Sequence, residues 1–206
     1  MLIIGLTGSI GMGKSTAAAR FRTHGIGVLD ADAVVHALYR GEAVPLIEAA
    51  FPGTTRDGVV DRARLLAAIT SEPAGFERLE AIVHPLVREA ERDFLVAEHA
   101  RGAGLAVLEI PLLFETGGDR LVDVTVVVSA PAEVQRARVL ERPGMTDAKL
   151  AEILSRQMSD SEKRARADYI VDTSATMAES EAQIDRLVAL LRGREGSAYH
   201  RFWASA

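Results

Sequence analysis

The sequence predicts a three-layer α/β fold, in which helices cover both faces of a central parallel sheet. Residues 105–110 and 124–129 are continuous apolar runs rich in β-branched side chains, as expected of strands that are buried on both faces. Residues 2–6 form a third apolar run, which leads into a glycine-rich loop and then a helix-forming segment. Strands that alternate with helices in this way indicate a parallel sheet.

Residues 26–29 predict a second strand, which ends at Asp30 and is followed by a helix at 33–39. From about residue 41 to residue 101 the apolar side chains recur at helical spacing, interrupted by a turn cluster at 52–58. This stretch is too long for a simple connection between two parallel strands. We therefore interpret it as an inserted substrate-binding region.

The second half of the chain predicts helices at 132–141 and 147–157, which flank a Pro-Gly turn in a pattern that suits a mobile lid. A short strand at 169–171 and an amphipathic helix that ends at Gly193 follow. We expect the tail at 194–206 to be poorly ordered.

At 206 residues the chain is long enough for one α/β domain with a substantial core and too short for two ordinary domains. We therefore predict a single domain over residues 1–206. Within it we expect the helical insertion at about residues 33–101 and the lid at about residues 140–165.

The composition is 48% hydrophobic and 26% charged, with a net charge of -5, which is typical of a globular protein and argues against nucleic acid as the main partner. The absence of cysteine excludes disulfides and cysteine-ligated metal sites and fits a reducing cytoplasm. The first residues lack the basic start and apolar length of a signal peptide, and no apolar run approaches a membrane span. We expect a soluble cytoplasmic protein and leave its oligomeric state open.

The segment Gly8-Ser-Ile-Gly-Met-Gly-Lys-Ser15 fits the P-loop pattern G-x-x-x-x-G-K-[ST], between a predicted strand and a predicted helix. Glycines at three positions let backbone N–H groups face a phosphate, and the helix adds its positive end. Lys14 supplies a cation for the β- and γ-phosphates of ATP, and the Ser15 hydroxyl is a ligand for Mg²⁺. The predicted ATP-binding residues of this segment are Gly8, Ser9, Ile10, Gly11, Met12, Gly13, Lys14, Ser15 and Thr16.

A P-loop occurs in kinases, GTPase switches and motor ATPases alike. The chain contains no asparagine, so the asparagine-containing guanine-recognition motif of GTPases is absent. The pattern therefore favours an ATP-dependent phosphotransferase.

Acidic residues follow two of the predicted strands. Either Asp30 or Asp32 could accept the proton of an acceptor hydroxyl, while Asp32 could equally be the N-cap of the next helix. Glu109, at the end of a strand, is a candidate for holding the metal through water, against the alternative of a solvated strand end. We expect Glu115 to be a surface residue.

Arginines precede the Pro-Gly turn of the predicted lid. The spacing of Arg138 and Arg142 predicts that they share one helix face, where they could neutralise charge on the triphosphate. Arg136 fits a solvated face better. By pattern alone, His84 on an apolar helix face is a structural residue.

Taken together, these motifs resemble the dephospho-coenzyme A kinase family, and the resemblance extends over about residues 3–173. The most specific blocks are Leu79-Glu-Ala-Ile-Val-His84-Pro85 and Pro111-Leu-Leu-Phe-Glu115. The remaining blocks, in the family's order, are Asp30-Ala-Asp32, Asp57-Gly-Val-Val-Asp61-Arg62, Gln135-Arg-Ala-Arg138-Val-Leu-Glu-Arg142 and the segment from Arg156-Gln-Met to Asp172.

The resemblance implies a P-loop kinase fold and ATP-dependent phosphorylation of the ribose 3′-hydroxyl of dephospho-coenzyme A. By position it implies that Asp32 is the base, that His84 and Arg88 lie on the substrate side, and that Arg142 lies on the nucleotide side. The chain departs from the family at Ser9 and Met12, where glycine and serine are frequent, at Pro143, where an aspartate commonly follows the arginine, and at Thr173, where asparagine is frequent.

Two other functions remain compatible with the residues. One is another small-molecule P-loop kinase, such as a nucleoside monophosphate kinase. The other is a nucleotide-regulated binding protein that holds ATP without turnover.

Overall fold

The computed structural model describes residues 1–204 and contains a five-stranded parallel sheet. In chain order the first elements are β1 (Leu2–Thr7), α1 (Lys14–Thr23), β2 (Gly27–Asp30), α2 (Ala31–Leu38), α3 (Ala43–Ala50), β3 (Thr55–Arg56), β4 (Val59–Val60), α4 (Arg62–Ser71) and α5 (Gly75–Ala100). The next are β5 (Leu105–Glu109), β6 (Val124–Ser129), α6 (Ala132–Leu140), α7 (Asp147–Ser155), α8 (Asp160–Arg166), β7 (Tyr169–Asp172) and α9 (Met177–Leu191). The strand order in the sheet is β2-β5-β1-β6-β7, and the predicted α/β fold with a central parallel sheet is confirmed.

The central strand β1 is buried along its whole length, because both faces of the sheet are covered. On one face Leu2, Ile4 and Leu6 belong to a core cluster with residues of α1 and α9. On the other face Gly5 lies so close to Leu113 that a Cβ atom there would be 2.8 Å from the leucine side chain. The continuous apolar pattern of β1 therefore reflects two packed faces.

Pairing of β1 with its neighbours places the end of β1 beside the end of β5. Leu6 lies opposite Glu109 of β5, and Thr7 lies opposite Val127 of β6. Since parallel strands end at the same edge of a sheet, the loop after β1 begins beside the end of β5.

The chain separates into two compact units, Met1–Leu29 with the chain from Leu95 onward, and Asp30–Phe94. The second unit has its own apolar cluster, which includes Leu38, Ile47 and Val83. Within it the turn cluster predicted at 52–58 contains more than a turn, since β3 and β4 form a short antiparallel hairpin. Asp57 and Gly58 both have positive φ, as a two-residue hairpin turn of this kind requires.

The prediction of a poorly ordered tail is wrong for the part of it that the structure describes, residues 194–204. The Asp123 carboxylate accepts the backbone N–H groups of Ser197 (2.6 Å) and Ala198 (2.8 Å) through one oxygen, and that of Ile3 (2.9 Å) through the other. One turn of π-helix at Tyr199–Trp203 then buries Trp203. These contacts join distant parts of the chain, so local composition could not reveal them. Residues 205 and 206 lie outside the described residues.

Candidate active site

The P-loop connects β1 to α1, where the sequence places it. Gly11 (φ 77°) and Gly13 (φ 87°) adopt the left-handed backbone conformation that favours glycine. A Cβ atom on Gly11 would also lie 2.5 Å from the side chain of Val139 on α6. The loop closes on itself through a hydrogen bond from the N–H of Met12 to the carbonyl of Ser9 (3.2 Å).

Contacts from other elements hold the loop from outside. The side-chain amide nitrogen of Gln135 donates to the backbone carbonyl of Ile10 (2.8 Å). The backbone N–H of Ala130 donates to Sδ of Met12 (3.1 Å). Met12 is 1% exposed and belongs to the core cluster of the sheet. This slot of the P-loop pattern is therefore a packing position, although the pattern itself allows any residue there.

Lys14 begins α1, and its ammonium group lies 3.2 Å from Oε1 of Glu109. Glu109 is the last residue of β5 and is 2% exposed. The alternative of a solvated strand end is therefore wrong for Glu109. Burial of β5 on both faces places the carboxylate beside the P-loop, where it balances the lysine charge.

The hydroxyls of Ser15 and Thr16 are exposed on the first turn of α1 and make no hydrogen bond within residues 1–204. No group of three or more acidic, histidine or cysteine side chains in this described range could hold a metal ion. Mg²⁺ in phosphotransferases is commonly bound by one or two protein ligands together with substrate phosphates and water. A free hydroxyl on Ser15, which follows the Lys14 that pairs with Glu109, fits that mode of binding.

The three arginines of the predicted lid have different environments. Arg138 donates to the Thr173 hydroxyl (3.2 Å) and to the Thr173 carbonyl (2.5 Å). Arg136 is exposed and makes two hydrogen bonds to Asp147 (2.7 and 2.8 Å), which connect α6 to α7.

Arg142 is exposed and lies beyond the end of α6, so the prediction that it shares a helix face with Arg138 is wrong. The proline at 143 explains the difference, because a residue before proline is disfavoured in helical conformation.

The prediction that Glu115 is a surface residue is also wrong. Its carboxylate pairs with the fully buried ammonium of Lys163 (2.9 Å) and accepts the N–H of Met158 (2.8 Å), at the junction of α7 and α8. Lys163 also donates to the carbonyl of Pro111 (3.2 Å). Sequence reasoning assigned Lys163 no role, although the rarity of lysine in this chain was a usable signal.

In the unit Asp30–Phe94, the two aspartates at the end of β2 and the start of α2 have different environments. Asp30 is the N-cap of α2, and its carboxylate accepts the N–H groups of Asp32 (2.9 Å) and Ala33 (3.2 Å). The Asp32 side chain is exposed and has no hydrogen bond or ion pair within the described residues. The suggestion that Asp32 caps this helix is therefore wrong, and its carboxylate is available for another role.

A cavity of about 690 Å³ opens beside Asp32 in the same unit. Its lining combines apolar side chains from α2, α4 and α5 with the polar side chains of Asp32, His36 and Arg62. Arg62 lies 2.9 Å from Nδ1 of His36 and packs over the ring of Tyr39. Burial raises the pKa of Tyr39, and the charge of Arg62 opposes the rise. Arg62 belongs to one of the motifs that resemble the family, but the sequence alone did not indicate that it lines a site.

The remaining predicted residues lie on α5. His84 is exposed, and Arg88, four residues later, pairs with Glu91 at 3.0 Å. Glu91 is 3% exposed, and burial raises its pKa, with the charge of Arg88 opposing the rise. Neither His84 nor Arg88 is among the residues that line the cavity.

No helix within residues 1–204 combines the length and the apolar character that crossing a membrane requires.

Comparison with known proteins covers nearly the whole chain. The model of the dephospho-CoA kinase family matches residues 2–179. Dephospho-CoA kinases of Mesorhizobium japonicum and Rhizobium etli are 56% and 58% identical, over 96% and 94% of this chain and 100% and 96% of the relatives. The crystal structure of TT1252 from Thermus thermophilus has a TM-score of 0.80 at 37% identity, over 93% of this chain and 98% of that one. The protein therefore belongs to the dephospho-CoA kinase family.

Proposed function

We propose that the protein transfers the γ-phosphoryl group of ATP to the ribose 3′-hydroxyl of dephospho-coenzyme A, giving coenzyme A and ADP. The observation that carries the proposal is the P-loop, with Lys14 at the start of α1 and a buried carboxylate beside it. Membership of the dephospho-CoA kinase family supports the identity of the acceptor.

At the nucleotide, backbone N–H groups of the P-loop and the N-terminus of α1 bind the phosphates, and Lys14 neutralises their charge. Bound Mg²⁺ would be held by Ser15, with Glu109 nearby, and would supply positive charge to the β- and γ-phosphate oxygens. Arg138 and Arg142 stabilise the charge that develops during transfer.

At the acceptor, Asp32 orients the hydroxyl and accepts its proton as the oxygen attacks the γ-phosphorus and ADP leaves. The exposed and unpaired carboxylate of Asp32 supports this role, since Asp30 already caps α2. The cavity beside Asp32 is lined by apolar side chains and by polar ones that include the cationic Arg62. Such a cavity suits an acceptor with an elongated, partly apolar arm and phosphate groups.

We further propose that the chain forms one P-loop kinase domain, with the acceptor-binding insertion at about residues 33–101 and a lid at about residues 140–165. His84 and Arg88 are proposed to contact the acceptor. Binding energy from the distant part of the acceptor then positions the reacting hydroxyl, so truncated acceptors lose kcat as well as affinity.

The test is an ADP-release assay with ATP and Mg²⁺, offering dephospho-coenzyme A, adenosine, AMP and CMP in parallel. We expect strong preference for dephospho-coenzyme A, with product mass showing a single added phosphoryl group. Preference for AMP or CMP would instead support a nucleoside monophosphate kinase. ATP binding without turnover on any acceptor would support a nucleotide-regulated binding protein.

A further inference from the structure

Thr173 connects three parts of the chain that are distant in sequence. It follows β7 directly and is 7% exposed. Its hydroxyl donates to the carbonyl of Met12 in the P-loop (2.9 Å), with a longer contact to the carbonyl of Ser129 (3.3 Å). Its backbone N–H donates to the same Ser129 carbonyl (2.8 Å), at the end of β6.

The same residue holds Arg138. One guanidinium nitrogen, Nη1, donates to the Thr173 hydroxyl (3.2 Å), and Nη2 donates to the Thr173 carbonyl (2.5 Å). The hydroxyl of Thr173 is therefore an acceptor for Arg138 and a donor to the P-loop at the same time. No other hydrogen bond engages the Arg138 side chain within residues 1–204, so its remaining N–H groups can bind an anion.

This arrangement fixes the direction of the guanidinium relative to the P-loop backbone. A long arginine side chain that is held at two points loses little further freedom when it binds a phosphate. The threonine methyl group also lies beside the P-loop, since a Cβ atom added to Gly13 would be 3.5 Å from it.

We propose that Thr173 is a positioning residue for phosphoryl transfer, which holds the Arg138 guanidinium in register with the P-loop and so with the phosphates of bound ATP. The inference rests on the proposed function, because it requires that Arg138 contacts the transferred or leaving phosphate. It assigns to Thr173 no contact with substrate.

The competing explanation is that Thr173 only stabilises the end of the sheet. Thr125 provides a matched control, since it is also buried and has a hydroxyl that donates to the carboxylate of Asp168 (2.8 Å) and accepts its N–H (3.0 Å). It lies at the start of β6 and has no hydrogen bond to the P-loop within the described residues.

The experiment compares Thr173→Val, Thr173→Ser and Thr125→Val by thermal unfolding and by steady-state kinetics with varied ATP and saturating dephospho-coenzyme A. For Thr173→Val we expect kcat/KM for ATP to fall about tenfold or more, as the loss of hydrogen bonds to a charged group predicts. Thr173→Ser keeps the hydroxyl and should restore most of the activity. Thr125→Val should lower the melting temperature without a comparable fall in kcat/KM.

A double-mutant cycle with Arg138→Ala decides whether Thr173 acts through that arginine. We expect Thr173→Val to have little further effect on kcat/KM once Arg138 is absent. Equal losses in both backgrounds, or normal kinetics of Thr173→Val, would overturn the inference. If Thr173→Val does not fold, Thr173→Ala is measured in its place, with the same two outcomes. Failure of the unmodified protein to phosphorylate dephospho-coenzyme A would contradict the proposed function instead.

Discussion

The ammonium group of Lys14 lies 3.2 Å from the carboxylate of Glu109, whose side chain is 2% exposed. The pair connects the start of α1 to the end of β5, and the P-loop cation therefore has a counter-charge before any nucleotide binds. Phosphate oxygens of ATP would compete with this carboxylate for the same ammonium group. Two predictions concern this pair.

Replacement of Glu109 by glutamine should destabilise the free protein by about 1–3 kcal/mol, because the Lys14 charge loses its partner. ATP added without Mg²⁺ should then raise the melting temperature more in the variant than in the unmodified protein, since the phosphates restore the missing negative charge. Thermal unfolding with and without ATP measures both effects. The control is Glu89→Gln, at an exposed position on α5. Equal ATP-induced shifts in all three proteins would contradict the competition.

Replacement of Lys14 by alanine should abolish most of the turnover and keep the fold, while lowering the free energy of unfolding because the buried Glu109 carboxylate loses its partner. Lys14→Arg should also be a poor enzyme, because a planar guanidinium does not replace a compact ammonium group at a site of this size. ADP release and circular dichroism are the two measurements. Near-normal turnover in folded Lys14→Ala would remove the P-loop lysine from the mechanism.

The neighbouring aspartates of α2 form a matched pair of variants. Asp30→Ala should lower the free energy of unfolding by about 1 kcal/mol, because two N–H groups lose their cap. Asp32→Asn should leave the melting temperature nearly unchanged and lower kcat by roughly 10² to 10⁴, as the loss of a general base does. An Asp32→Asn enzyme with normal kcat would exclude Asp32 as the base.

Glu91 predicts a dependence of stability on pH. Its pKa is raised by burial, so the folded state favours the protonated carboxyl. The stability from this group is fully present below its unfolded pKa of about 4.3 and is lost as pH rises through the higher folded pKa. Glu91→Gln removes this loss, so the melting temperature of the variant should rise relative to that of the unmodified protein as the pH increases above the unfolded pKa of about 4.3. A constant difference above this pH would refute the assignment, and Glu89→Gln is the exposed control.

The docked tail can be followed through Trp203, which is the single tryptophan and is buried. Asp123→Ala removes the acceptor for the N–H groups of Ser197, Ala198 and Ile3, at a cost of about 1–3 kcal/mol for each N–H that stays buried. We expect a lower melting temperature and a red shift of the tryptophan emission. Asp93→Ala, at an exposed position, should change neither. An unshifted emission in Asp123→Ala would show that these hydrogen bonds do not hold the tail.

Local pattern was sufficient for the P-loop and for most of the elements around it. A strand such as β1 and the glycines at 11 and 13 are determined by neighbouring residues, through hydrophobic runs and backbone conformations that few other residues adopt. The observed boundary of an element differs from the predicted one where a capping residue sets the start of a helix. The strand predicted at 26–29 ends at Asp30, because that aspartate, and not Asp32, caps the following helix.

Relationships between distant residues required the tertiary structure. Glu109 and Glu115 each form an ion pair with a lysine far along the chain. The residues next to each glutamate, such as the motif Pro-Leu-Leu-Phe that precedes Glu115, do not indicate which lysine that is. The same holds for Thr173 and the P-loop, which are joined by a hydrogen bond across 161 positions.

The sequence by itself determined that this chain has a parallel α/β fold, a P-loop and the blocks of a dephospho-CoA kinase, because each of these depends on residues within a few positions of one another. Only the tertiary structure decided which aspartate is available, which carboxylate accompanies Lys14 and which residue holds Arg138. These relationships depend on burial and on hydrogen-bond partners that folding brings together from separate elements. The partners are needed because a buried charge or N–H group without one costs free energy of folding.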